Sequence, residues 1–220
     1  MKEILSASSF QFPYTDLHFP GLNTGERILF VTRESKVMLY IRLAMLTVVC
    51  VALFVLGGVL VDLASSALYV SSTLWTALFV LLVIIAAIGY FWIYQTYKKS
   101  VFIITTRRLT KIIYTTPFTW YQFSLGLDEI QDTGSYASTF FEVLFRLGYF
   151  VARSGAGAIK NFKIVNISFA ADLHNYVNKL LYAFKHHSSR INEFRPFIPH
   201  VKGELRKELL KNYPDYRTEF

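Results

Sequence analysis

Disulfides, metal-ligand clusters and phosphate-binding glycine motifs are all missing from this chain, and each absence removes a class of function. The single cysteine, Cys50, excludes an intrachain disulfide, and its place in an apolar run marks it as a small hydrophobe rather than a reactive thiol. The five histidines offer no metal site. His186 and His187 are adjacent, so a helix points them in different directions, and no cysteine or further histidine stands at ligand spacing. Gly155-Ala-Gly157 lacks the downstream glycine and helix of a phosphate loop and reads as a turn. Asp128, Glu129 and Asp132 read as exposed turn carboxylates, since nothing marks a cleft around them. With no catalytic set to work with, the chain is expected to be non-enzymatic, with no cofactor and no metal.

Charge is also scarce, at 17% of 220 residues, against roughly 25% in a typical soluble domain. The shortfall is clustered: residues 43–61 and 63–97 contain no Asp, Glu, Lys or Arg. A helix rising about 1.5 Å per residue needs about 20 apolar residues to cross a hydrocarbon core of about 30 Å. Residues 37–61 and 73–94 both satisfy that length, so a transmembrane hairpin is expected over 37–96, rather than two buried helices of a soluble core. The first run starts too far from the N-terminus and is too long for a signal peptide.

The expected connector, residues 62–72, has no Lys or Arg, while Arg27, Arg33, Lys36 and Arg42 flank one outer end and Lys98, Lys99, Arg107 and Arg108 the other. The positive-inside bias therefore predicts a multi-pass protein of the plasma membrane with both termini cytoplasmic. Trp75, Tyr90, Trp92, Tyr94 and Tyr97 gather toward the helix ends, as interfacial aromatics do. Arg42, about a turn inside the first run, is expected to snorkel to the cytoplasmic headgroups. Gly57-Gly58 permits close helix approach without specifying a dimer. The sequon Asn166-Ile-Ser168 then falls on the cytoplasmic side and is a chance match.

Past Lys99 the pattern changes. Short β-branched and aromatic runs at 101–105, 109–114, 120–125, 130–136, 148–153 and 162–168 are separated by turn residues at roughly ten-residue spacing, which predicts an antiparallel sheet or small barrel. Leu173, Tyr176, Val177, Leu180, Leu181 and Phe184 then recur at helical spacing, with Asp172, Asn175, Asn178 and Lys179 on the other face. This helix, capped by Ser168 or Asp172, would cover the open end of the barrel. The organisation expected is a cytoplasmic segment 1–36, the hairpin 37–96, a mainly-β domain 97–187 and a polar tail 188–220.

Three stretches carry a family resemblance. They are Gly25-Glu-Arg-Ile-Leu-Phe-Val-Thr-Arg33 before the first helix, Phe102-Ile-Ile-Thr-Thr-Arg-Arg-Leu109 after the second, and Phe123-Ser-Leu through Ile130-Gln-Asp132 with Leu144-Phe-Arg-Leu-Gly148 and Ser154-Gly155. In order and spacing, residues 25–187 resemble the bacterial pleckstrin-homology (PH) domain membrane proteins, in which a two-helix hairpin precedes a PH-like domain. Phe102 stands where that family usually has Tyr, and Phe150 where a second glycine is common. The resemblance implies a seven-stranded bent barrel closed by a C-terminal helix, and says little about function.

The positive chemical signal is electrostatic. Lys98, Lys99, Arg107, Arg108 and Lys111 lie within fourteen residues of the second helix exit. Beside an anionic surface each contributes about 1 kcal/mol, enough together to hold a domain on membrane lipids. Basic residues and aromatics are too scattered for a nucleic-acid face. The tail has alternating charge and is expected to be mostly disordered, with a helical turn or two over 204–210. Two functions are therefore expected: a membrane-anchored PH-like scaffold or regulator, or an anionic-lipid surface sensor. The scaffold's partner is a protein, a second copy of the chain included, received on an open barrel edge near Ile112 or on the closing helix.

Overall fold

The computed structural model describes residue 19 and residues 21–68, 71–155 and 161–197, with the backbone alone at 64–68, 71–72 and 141. Helix α1 spans Lys36–Leu68 and α2 spans Ser71–Lys99. The segment 62–68, expected as connector, is helical, because Leu63, Ala64 and Ala67 are good helix formers and no Gly or Pro interrupts them. Both helices are long and apolar enough to cross a membrane, and almost none of either apolar window is covered by the rest of the protein. Val48, Leu60 and Phe79 are each more than half exposed. Helices of a soluble core bury such residues, whereas among the described residues these apolar faces have no protein to pack on.

The helices grip each other through glycine notches. A Cβ on Gly57 would meet Leu78 Cδ1 at 2.8 Å, and one on Gly89 would meet Leu46 Cδ2 at 2.8 Å. Gly58 receives the Trp75 ring, whose Nε1 donates to Asp62 Oδ1 at 3.1 Å. The Gly57-Gly58 pair thus serves the hairpin's own packing.

Seven strands form, and the last six follow the expected runs closely: β1 Ile28–Thr32, β2 Val101–Thr105, β3 Arg108–Tyr114, β4 Trp120–Gly126, β5 Ile130–Tyr136, β6 Gly148–Ser154 and β7 Phe162–Ile167. They form two antiparallel sheets, β1-β2-β3-β4 and β5-β6-β7. Among the described residues no hydrogen-bonded ladder joins the sheets, so the closed barrel that the resemblance implies is not formed. At one seam rings meet in place of backbone: Phe123 of β4 and Phe162 of β7 stack with centroids 6.5 Å apart. Ile112, expected near a free edge, lies in β3 between two neighbours, and the outer strands of the first sheet are β1 and β4.

β1 is the element that the sequence pattern does not single out. It precedes the hairpin yet pairs with β2, which follows it, in the register Val31↔Ile103 and Thr32↔Phe102. Its outer edge is partly covered in turn, since Phe197 N donates to Leu29 O at 3.1 Å. The chain after His187 is therefore ordered at least as far as Phe197, through the short 3-10 helix Ser188–Glu193, while 204–210 lies outside the described residues. Phe197 sits against Phe30 and Tyr176, whose hydroxyl donates to Arg195 O at 2.7 Å.

A short helix α3, Phe140–Leu144, connects β5 to β6, and α4, Ala170–His186, closes the domain. Leu173, Tyr176, Val177, Leu180 and Leu181 are buried as the helical spacing predicts, while Phe184 is only partly so. Neither expected cap is used: the N-cap is Phe169, which makes no side-chain cap bond, and Asp172 stands in the first turn, where its charge suits the helix dipole. The core between sheets and helix includes Phe30, Phe150, Phe162, Leu125 and Ile164, all fully buried.

Because β1 comes from before the hairpin, residues 97–220 alone leave β2 without one of its two neighbours and the core without Leu29, Phe30 and Val31, which are fully buried. We expect that fragment to aggregate or lack cooperative unfolding by circular dichroism. A chain in which 36–99 is replaced by a turn of about two to five residues should fold and unfold cooperatively, since Thr32 and Phe102 are already paired. Equal thermal stability of the two would contradict the fold.

Candidate functional site

The direction of β2 sorts the five candidate basic residues into two groups. β2 leaves the end of α2 and carries the chain five residues away, about 17 Å at roughly 3.3 Å per residue. Lys98 and Lys99 stay at the helix end, whereas Arg107 and Arg108 sit at the far end of the strand, and β3 brings Lys111 back.

At the far end, Arg108 is committed to Glu26. Its Nε and Nη2 donate to the two carboxylate oxygens, both at 2.9 Å, and Nη2 also donates to Gly21 O. Thr105 Oγ1 donates to Glu26 Oε1 at 2.6 Å and accepts from Arg108 N at 3.0 Å. The Glu26 side chain is wholly buried. Burial alone would raise its pKa, but the bonds from Arg108, Thr105 and the Asn23 backbone outweigh this and hold it below the usual 4.5. Arg107 is exposed in the β2–β3 turn.

At the helix end lies a cleft of about 350 Å³, bounded by the ends of α1 and α2, by β3 and by β7. Leu109, Lys111 and Ile113 share one face of β3. That face begins in the core at Leu109 and ends in the cleft, which is why Lys111 is only half-buried. Its Nζ lies 5.1 Å from the Phe123 ring centroid, and burial lowers its pKa. Lys163 reaches the same cleft from β7, its Nζ 3.7 Å from the Tyr149 ring centroid. Glu34 and Arg42 also line the cleft but satisfy each other at 2.8 Å, the Arg42 side chain reaching toward the start of α1 as a snorkelling arginine would. Among the described residues neither Lys111 nor Lys163 pairs with a carboxylate. Both lysines line the cleft, and an ammonium group there can hold a phosphate or carboxylate.

Lys99 is turned to the β3–β4 turn, its Nζ donating to Pro117 O at 2.8 Å, and Lys98 lies 5.9 Å from the Tyr94 ring centroid. β7 reaches the start of α1 through a bulge. Asn166, at φ 58°, accepts from Ser35 N at 2.9 Å and donates to Glu34 at 3.4 Å, so the sequon asparagine is a buried joint. Of the carboxylates expected in turns, Asp128 and Glu129 are exposed in the β4–β5 turn, whereas Asp132 lies within β5 and pairs with Arg153 at 3.3 Å on the surface.

No family model, curated protein or solved structure matches this chain. The functional reading therefore rests on the geometry.

Sequence reasoning missed Lys163, Glu26 and Glu142. Only the last had a local signal: Thr139-Phe-Phe-Glu142 is a capping box, with Glu142 Oε2 accepting from the backbone of Ser138 and Thr139 at 2.8 and 3.0 Å and Glu142 N donating to Thr139 Oγ1 at 3.2 Å. Burial would raise the Glu142 pKa, and these bonds outweigh it to lower it.

Both buried carboxylates have folded pKa values below their unfolded ones. Their contribution to stability is complete above the usual carboxylate pKa and is lost as pH falls through the lowered values. Thermal melts of the hairpin-replaced chain should thus be flat near neutrality and decline below about pH 4.5. Glu26→Gln should cost about 2–3 kcal/mol at pH 7 and make the acid decline shallower. An unchanged melting temperature at pH 7 would show that the pair does not carry the joint.

Proposed function

We propose that this chain is a membrane-anchored, non-catalytic binding module. On this reading α1 and α2 cross the plasma membrane with both termini cytoplasmic, and a PH-like domain is held against the cytoplasmic surface as a scaffold or regulator of a protein partner. The observation that carries it is the double attachment of the domain. Its first strand runs directly into α1 and its second directly out of α2, so the sheet cannot swing away from the helix ends. Four-plus-three strands with a closing helix support the PH-like reading in order and number. Such a module presents strand edges to a partner, and β4 and β5 are outer strands of their sheets.

Cross-linking of tagged full-length protein in its native membranes, followed by mass spectrometry, tests this. A reproducible partner, or a second copy, linked through residues 120–136 is the expected result. Recovery of lipid with no protein cross-link would exclude the scaffold role.

A second reading, contact with anionic lipid, is favoured by the cleft that Lys111 and Lys163 share beside the helix ends. Native mass spectrometry of the full chain from nanodiscs containing anionic lipid should show lipid retention falling about fivefold for each of Lys111→Gln and Lys163→Gln, less so at high salt. Retention unchanged in both variants would remove this reading.

A further inference from the structure

The strand directions place two connectors at the same end of the domain as the long helices. β3 returns to the end of α2, where Tyr114 N donates to Ser100 Oγ at 3.1 Å, and the turn 115–119 continues beyond it to Lys99. In the second sheet β7 ends at the start of α1, where Asn166 O accepts from Ser35 N. β6 runs antiparallel to β7 and begins opposite Ile167, and β5 ends opposite Tyr149. The β5–β6 connector, residues 137–147, therefore lies at that same end.

Both connectors present apolar side chains outward. On the turn Phe118 is 85% exposed, and Trp120, the first residue of β4, is 50% exposed. On α3, Phe140 is 74% exposed, Val143 65% and Leu144 58%. Neither is a loose loop. Thr116 Oγ1 accepts from the backbone of Phe118 and Thr119, and Pro117 is buried. The capping box fixes the start of α3, while Leu147, buried, anchors its end with Leu147 N donating to Glu142 O at 2.7 Å. Arg146 adopts φ 52°, a conformation unfavourable for a residue with a side chain, so that the chain can turn there. The domain thus spends backbone strain and a buried carboxylate to hold out a set of aromatic and aliphatic groups.

We propose that α3 and the β3–β4 turn insert into the headgroup–acyl boundary of the same bilayer that α1 and α2 cross. The inference rests on the membrane placement proposed above. Groups of this kind favour that boundary. Water-facing patches of this composition are otherwise a liability, and the sheet that tethers them to the helices keeps them within reach of the lipid. The occupant is the lipid surface itself, with no headgroup preference required, which separates this contact from the lysine cleft.

Full-length protein with Cys50→Ala, carrying Phe118→Cys or Val143→Cys labelled with a fluorophore, in phosphatidylcholine nanodiscs, tests the proposal by quenching with iodide from water and with brominated lipid. Val51→Cys at the middle of the α1 apolar run and Asn175→Cys on the outer face of α4 serve as references. These are exposed positions, so none should disturb folding. Labels at 118 and 143 should be quenched by brominated lipid several-fold more than the label at 175, and shielded from iodide. Iodide access at 118 and 143 equal to that at 175, with 51 still quenched by lipid, would overturn the insertion alone. Shielding from both quenchers would overturn it in favour of a protein contact. Iodide access at 51 would defeat the membrane placement itself.

Discussion

A carboxylate removed from water stays ionised only if a cation and hydrogen-bond donors replace its hydration, and for Glu26 that replacement comes from 82 residues further along the chain. Arg108 and Thr105 supply it, and between the partners lies the whole of the hydrophobic hairpin. This one joint fixes the segment before α1 to the hairpin turn after α2, and the β1–β2 ladder extends from it toward the helices. The core then forms around a strand that the rest of the domain cannot supply.

Because both entrances to the helix pair are strands of one sheet, the helices and the domain are geometrically coupled. A shift of α1 against α2 is a shift of β1 against β2, and such a ladder slips only in whole registers. The cleft with Lys111 and Lys163 and the two apolar connectors sit at the opposite end of that sheet from the Glu26 joint, where β1 and β2 meet the helices. On the membrane placement proposed above, ligand, lipid or partner contact there would act on the place where the helices meet the sheet.

Much of the fold was legible because its signals are local. The runs at 101–105 and 130–136 become strands with those bounds, since β-branched residues between turn residues pack well on a pleated surface. The closing helix announced itself through the stripe from Leu173 to Leu181. What could not be read was non-local. β1 abuts the apolar run of α1 and finds its partner only after the hairpin. Arg107 and Arg108 look like neighbours of Lys98 and Lys99 until a strand separates them. Lys111 and Lys163, 52 positions apart, converge only once two sheets face each other. The capping box at Thr139 was readable, and with it the short helix that the strand pattern passed over.

Hydrogen–deuterium exchange of the full-length protein in nanodiscs, read at residues 28–32 and 101–105, tests the central claim most directly. The account predicts that both segments are protected and exchange at the same slow rate, and that Arg108→Gln releases them together. Rapid exchange at 28–32 beside continued protection at 101–105 would show that the segment before the hairpin is not a strand of this domain, and would contradict the account.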